Sequence, residues 1–363
     1  MLVDDSAVIR RFVSEALREE PDILVTATAA NGRQAIERLE RETVDVVVLD
    51  IEMPVLDGLA TLAEIRPRWP DLPVVMYSTL TQRGAAATLD ALSLGATDYV
   101  LKPSQVGDGA TAGRAVRSEL APVLRSWANL RRARSAGARP AAPPLAPGPP
   151  ARRPVAAAPP RPGRRSRPEA VVIGSSTGGP HALTEVIPLL PASLPVPVLV
   201  VQHMPPLFTR MLAERLDARS SLHVVEVSAE RPVVPGTVYV AAGGTHLVVR
   251  RRGTSVLAEV DDGPPENSCK PAVDVLFRSA AGVWGGDVLG VVLTGMGQDG
   301  LEGSRLLAAA GGTVIAQDEE TSVVWGMPGA VSRAGLAAET LPLADVGPAV
   351  ARLLGRTLAG SPG

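Results

Sequence analysis

One cysteine, two lysines and 3 % aromatic side chains are all that a chain of 363 residues contains of those types. A single cysteine, Cys269, excludes an intrachain disulfide and any site built from several thiolates. With so few Phe, Tyr and Trp, the cores must be made of Val, Leu, Ile and Ala. No apolar run approaches the roughly 18 residues that suggest a membrane span. Asp4 and Asp5 follow only three residues, unlike a secretory leader. A soluble, cytoplasmic protein without membrane insertion is the expectation.

Acids are missing altogether from residues 121–168, which hold 12 prolines and 11 arginines. Such a composition cannot bury a core and reads as an extended, partly polyproline linker. Only Trp127 in it could stack on a base. With −2 overall and +11 in this stretch, the rest of the chain carries −13, so nucleic acid is not an expected partner. The linker divides the chain into a domain at 1–120 and another at 169–357.

What is abundant is alternation. Strand-like runs "ILVTATA" (23–29), "VDVVVLD" (44–50), "LPVVMYS" (72–78) and "TDYVLKP" (97–103) are separated by stretches with helical spacing of apolar residues. After the linker the pattern resumes, with strands expected near 170–174, 196–202, 223–227, 237–241, 288–294 and 313–316, and a β-rich stretch from about 223 to 260. Both domains are therefore α/β, each a parallel sheet with helices on both faces.

Parallel sheets gather functional groups at the carboxyl ends of their strands. In the first domain Asp4 and Asp5, Asp50, Ser78 and Lys102 all fall there. Crowded carboxylates suit a hard cation such as Mg²⁺. An aspartate among them could carry a phosphoryl group neutralised by the ion, the ammonium and the hydroxyl. The stretches "LVDDSAVIR", "VVVLDIEMPVLDG", "VVMYSTLT" and "GATDYVLKP" resemble the receiver domain of bacterial response regulators. The resemblance implies a flavodoxin-like, doubly wound fold, Asp50 as phosphoacceptor, and Asp4, Asp5 and Asp50 as the Mg²⁺ site. It also implies Ser78 and Lys102 at the phosphoryl group, Tyr99 as the aromatic that repositions, and a histidine kinase as phosphodonor. Only Met1, Leu2 and Val3 precede the paired acids, so either the first strand is short or the true start lies upstream.

In the second domain "VVIGSSTGGPHAL" ends a strand in hydroxyls and glycines. A P-loop needs a lysine after its last glycine, and here Pro180 follows. A nucleophile on a turn needs a base. His203 ends the next strand, whereas His181 is too local to the loop, and His223 and His246 lie in strand patterns that suit structural roles. Asp299, in the glycine turn after "VLGVVLT", can orient the base or cap its own helix. The stretches "IGSSTGGP", "VVQHMPPLFT", "KPAVDVLFRSAA", "VLTGMGQDG" and "AQDEETSVVWGMPGA" resemble the catalytic domain of the chemotaxis protein-glutamate methylesterases.

That resemblance implies a Rossmann-like three-layer domain that needs no cofactor for ester hydrolysis. Ser176, not Ser175, would be the nucleophile, with His203 the base and acid and Asp299 the orienting carboxylate. Thr177 and Met296 would form the oxyanion hole. It implies methyl-accepting receptors as substrate, release of methanol, and deamidation as a second activity. A DNA-binding output would instead need a compact basic helix-turn-helix, which this acidic α/β output does not offer. An inert scaffold would have no need of Ser176, His203 and Asp299 together.

Overall fold

Short runs rich in Val, Leu and Ile, several of them closed by Asp, Ser or Gln, form two separate parallel sheets. The computed structural model describes residues 1–79, 81–103, 109–135 and 167–355. The chain divides between residues 163 and 164 into two compact units, each with a parallel sheet of its own.

The first unit runs β1 (Leu2–Val3), α1 (Ala7–Arg18), β2 (Thr28–Ala29), α2 (Gly32–Leu39), β3 (Val47–Asp50), α3 (Gly58–Arg68), β4 (Val74–Ser78), α4 (Gln82–Ser93), β5 (Asp98–Leu101), α5 (Gly109–Ala115), a π-turn (Val116–Leu120) and α6 (Ala121–Ser135). Its five strands are parallel in the order β2-β1-β3-β4-β5. The order reverses between β1 and β3, which is where a doubly wound sheet opens its crevice. Asp4 follows the first of these strands and Asp50 ends the second.

Two expectations need correcting in this unit. The run 23–29 pairs only at Thr28–Ala29: it lies at the sheet edge, its sole neighbour β1 is two residues long, and Leu24 is 81 % exposed. The stretch expected to be extended linker begins as helix α6, which buries Ala121, Leu124 and Trp127. Its arginines find acids and carbonyls: Arg125 pairs with Glu20 and Asp22, Arg132 with Asp45, and Arg131 donates to Val44 O. Composition averaged over the whole stretch hides one amphipathic helix at its start. The remainder, 136–166, lies outside the described residues.

The second unit runs β6 (Ala170–Ser175), α7 (Gly179–Val186), β7 (Val198–Gln202), α8 (Phe208–Arg219), β8 (His223–Val227), β9 (Arg231–Pro232), β10 (Thr237–Ala241), β11 (His246–Arg252), β12 (Ser255–Asp261), α9 (Val273–Trp284), β13 (Val288–Val292), α10 (Leu301–Ala309), β14 (Thr313–Gln317), α11 (Met327–Arg333), β15 (Glu339–Leu341) and α12 (Leu343–Leu353). Seven parallel strands lie in the order β15-β14-β13-β6-β7-β10-β8, and β11-β12-β9 form a small antiparallel sheet. Strands β6, β7 and β13 are buried along their whole length, as a sheet covered on both faces requires. Val172, Leu199, Val201, Leu276 and Phe277 belong to one buried cluster, joining the sheet to α9. Three neighbours, β13-β6-β7, thus bring their carboxyl ends side by side. No helix among the described residues is long and apolar enough to cross a membrane.

Candidate active site

Those three ends carry Asp299, Ser176 and His203. Ser176 opens the turn from β6 into α7. The turn is left-handed at Gly178 (φ 76°), where a Cβ would also come within 2.5 Å of the Val323 side chain, so only glycine fits. The two serines differ sharply. Ser175 is buried and donates to Gln202 Oε1 at 2.8 Å, whereas Ser176 is half-buried and its hydroxyl is not hydrogen-bonded to the His203 ring.

Gln202 does more than bind Ser175. Its Nε2 donates to Ser176 O at 2.9 Å and to His203 O at 3.2 Å, latching the serine turn to the tip of β7. The loop after β13 closes in from the other side. A Cβ at Gly295 would lie 2.9 Å from Ser176 Cβ and 2.3 Å from Met327 Sδ, so glycine alone permits this approach. Ser176 N donates to Thr294 O, and Thr294 Oγ1 donates to Thr177 O at 2.9 Å. Thr177 and Met296, both half-buried, therefore belong to the two backbone segments that flank Ser176.

His203 Nε2 lies 2.8 Å from Asp299 Oδ2. A carboxylate only accepts, so Nε2 carries a proton, and Nδ1 is the nitrogen at which the ring gains or loses its second one. Nδ1 faces Cys269 Sγ at 3.4 Å. Burial lowers the imidazole's affinity for a proton, but Asp299 and the sulfur outweigh it and push the ring up to about 9.

Asp299 is fixed more firmly than capping its own helix would require. Its Oδ2 also accepts from Val273 N at 2.6 Å; its Oδ1 accepts from Asp274 N, Gly300 N and Asn267 Nδ2, each at 3.0 Å. Val273 and Asp274 begin α9, so the carboxylate caps a helix other than the one it precedes. Burial opposes its charge, yet the His203 ring and these amides outweigh burial and hold the carboxyl below its ordinary range. Its neighbour Asp274, pressed by burial and by the charge of Asp299, is pushed up to about 6. Asn267 donates to both acids, reaching Asp274 Oδ2 at 2.9 Å.

Sequence reasoning does not single out Gln202, Asn267, Asp274 or Cys269 for this site. A signal does exist for Gln202, which sits directly before His203 inside "VVQHMPPLFT". Of the other histidines, His181 is exposed, His223 pairs with Asp217 at the surface, and buried His246 accepts from Ala272 N and donates to Pro264 O.

In the first unit Lys102 Nζ lies 2.8 Å from both Asp4 Oδ2 and Asp50 Oδ1. Oxygen atoms of Asp4, Asp5 and Asp50 lie within 4.8 Å of one another. Burial raises the Asp50 carboxyl above its ordinary value despite Lys102. Burial alone would lower the Lys102 ammonium, but the two carboxylates raise it. Asp4 Oδ2 is buried and accepts no hydrogen bond beyond the ion pair, leaving a hard oxygen donor available. These residues fit Mg²⁺. Ser78 Oγ is buried and donates to Gly84 O at 3.2 Å and Thr79 O at 3.3 Å; Tyr99, half-buried on β5, lies opposite Met76.

Comparison with known proteins agrees with this division. The CheB methylesterase family matches residues 171–350, and the response regulator receiver domain matches residues 1–112. A protein-glutamate methylesterase/protein-glutamine glutaminase of Nocardioides sp. is 49 % identical, covering 98 % of this chain and 95 % of its own. One from Caulobacter vibrioides is 49 % identical, covering 97 % of each. The crystal structure of the Thermotoga maritima CheB methylesterase catalytic domain is 44 % identical with a TM-score of 0.51, over 52 % of this chain and all of that one. Near-full-length identity of this size, with both domain matches in order, places the chain in the family of the receiver-linked protein-glutamate methylesterases.

Proposed function

We propose that this protein hydrolyses glutamate methyl esters on chemotaxis receptors, releasing methanol, and that phosphorylation of Asp50 raises the rate. The observation that carries the reading is the His203–Asp299 pair, held by α9 amides beside a latched serine turn. Ser176 Oγ attacks the ester carbonyl and His203 Nδ1 takes its proton. Backbone N–H groups of Thr177 and Met296 receive the oxyanion. Collapse expels methanol, protonated by His203; water, deprotonated by the same nitrogen, then releases the glutamate. Asp299 keeps Nε2 protonated and stabilises the charged ring. For the first step Nδ1 must turn from Cys269 to Ser176, a tightening that a bound substrate can bring about. The same steps acting on a side-chain amide release ammonia, matching the second half of the relatives' names.

The receiver domain occupies residues 1 to about 135 and the methylesterase domain 169–357. A histidine kinase is the phosphodonor, and Asp50 accepts. Asp4, Asp5 and Asp50 would hold Mg²⁺, which would supply positive charge against the phosphoryl oxygens. Lys102 leaves its ion pair with Asp50 to meet the new charge, while Ser78 and Tyr99 turn towards it. Methanol release from methylated receptor membranes tests the whole reading. A small-molecule phosphodonor is expected to raise the rate about 5- to 150-fold, a coupling of ~1–3 kcal/mol. Asp50→Ala should remain at the basal rate. Equal activation of that variant would remove Asp50 from the scheme, and absence of methanol would remove the esterase.

A pH dependence follows from His203. The working base is the neutral ring, so kcat/KM should rise with pH towards an apparent pKa of about 9. Because the folded pKa exceeds the unfolded value of about 6.5, the ring's contribution to stability is full below about 6.5 and fades as pH rises towards 9. Activity should therefore climb where this contribution to stability declines, read by methanol release and melting temperature across pH 6 to 10. Cys269→Ala removes one of the two groups that raise the ring, so its profile should shift to lower pH. An unshifted profile centred near 6.5 in both proteins would show that neither neighbour sets the base.

A further inference from the structure

Cys269 is the chain's only cysteine, and the fold places it against the ring nitrogen that the mechanism uses as its base. It follows a two-residue turn in which Asn267 (φ 52°) and Ser268 (φ 62°) are both left-handed, closed by Cys269 N donating to Glu266 O and Glu266 N donating to Cys269 O. This is the geometry of a tight two-residue hairpin loop. Asn267 in turn is tied to Asp274 and Asp299. The sulfur, 3.4 Å from Asn267 O, is thus presented from an anchored turn.

We propose that Cys269 Sγ and His203 Nδ1 chelate Zn²⁺, and that the ion switches the active site off. A tetrahedral Zn²⁺ with Zn–N about 2.0–2.1 Å and Zn–S about 2.3 Å holds its nitrogen and sulfur roughly 3.5 Å apart. Here they are 3.4 Å apart without rearrangement. Ligating atoms of His203, Cys269 and Asp299 all lie within 4.8 Å of one another. Asp299 on Nε2 supplies what a metal-bound histidine usually has, a carboxylate on its other ring nitrogen that fixes tautomer and orientation. Sulfur and imidazole favour Zn²⁺, while the oxygen-only cluster of the receiver suits Mg²⁺, so one chain sorts the two ions by ligand softness.

Binding is balanced by loss of the thiol proton to solvent, giving a thiolate–Zn²⁺–imidazole site completed by water. Two protein ligands make a site weaker than a closed four-ligand one. The ion occupies the lone pair that must take the Ser176 proton, so hydrolysis stops without any contact with substrate. Metal binding stands independently of the proposed reaction; only the inhibition rests on it.

The test uses the full chain in excess MgCl₂, which keeps the receiver acids occupied. Titration with ZnCl₂ should abolish methanol release, and a chelator should restore it. Cys269→Ser should need at least about 10- to 100-fold more Zn²⁺, the range lost even when an outer partner of a metal ligand is removed. Independently of activity, CoCl₂ should give a near-ultraviolet cobalt–thiolate absorption band in the native protein and none in Cys269→Ser. Equal zinc sensitivity of the two proteins, or absence of the cobalt–thiolate band in the native one, would overturn the proposal. A band without inhibition would also overturn it and would leave the chelate serving some other end than blocking the base.

Discussion

Ser176→Ala is expected to reduce methyl-ester hydrolysis by on the order of 10⁴-fold or more, because no acyl-enzyme can form. The fold should survive. The serine turn is held through backbone atoms, Ser176 N to Thr294 O and Ser176 O to Gly179 N and Gln202, none of which needs the hydroxyl. Melting temperature should therefore stay close to that of the native chain while methanol release vanishes. Two companion variants give the result its meaning. Ser175→Ala removes a buried hydroxyl from Gln202 and should cost about 1 kcal/mol of stability with modest loss of rate. Cys269→Ser tests the rival nucleophile, since the thiol and not the serine contacts His203 Nδ1 in the structure. An active Ser176→Ala protein beside an inactive Cys269→Ser protein would move the acyl-enzyme to sulfur.

Asp299→Asn should lower turnover by a similar order, about 10⁴-fold, as an amide neither fixes the imidazole tautomer nor stabilises its charged form. Unlike the serine variant, it should also weaken the fold. Both carboxylate oxygens of Asp299 accept from backbone N–H groups, so the NH₂ of asparagine must face donors whichever way it turns. Each buried donor left without an acceptor costs roughly 1–3 kcal/mol. The decisive measurement is turnover at a temperature where the variant is fully folded. Native turnover there, with only a lowered melting temperature, would reduce Asp299 to a helix cap.

The strand tips are legible in the sequence because each carries its own punctuation. Asp50 closes "VVVLD", Ser176 follows the buried Ser175 at the end of β6, and His203 follows Gln202 at the end of β7. Parallel alternation then requires those ends to share one edge. Partners reached through chain reversals are not legible. Asn267 lies 32 residues before Asp299, and Cys269 lies 66 residues beyond His203. Both arrive by way of the antiparallel hairpin β11–β12, which no local pattern aims. Helix α6 is hidden for a different reason. Its apolar residues Leu124 and Trp127 are spaced as a helix requires, but the proline-rich residues beyond it dominate the average. Gln202 escapes notice because a polar residue at a strand end reads as solvent-facing, whereas here it is buried between two turns.

Two of the amides that hold Asp299, those of Val273 and Asp274, begin α9, and the same helix enters the main apolar cluster through Leu276, Phe277, Ala280 and Trp284. The interior of the domain and its chemistry therefore cannot drift apart. A change at Phe277 small enough to leave the protein stable still displaces the donors that set the charge and aim of Asp299, and misplacement of about 1 Å can cost on the order of 100-fold in rate. Sequences free to vary in this family should consequently be filtered at α9 by speed before they are filtered by stability. A library of repacked α9 interiors would accordingly keep many members that fold and few that work.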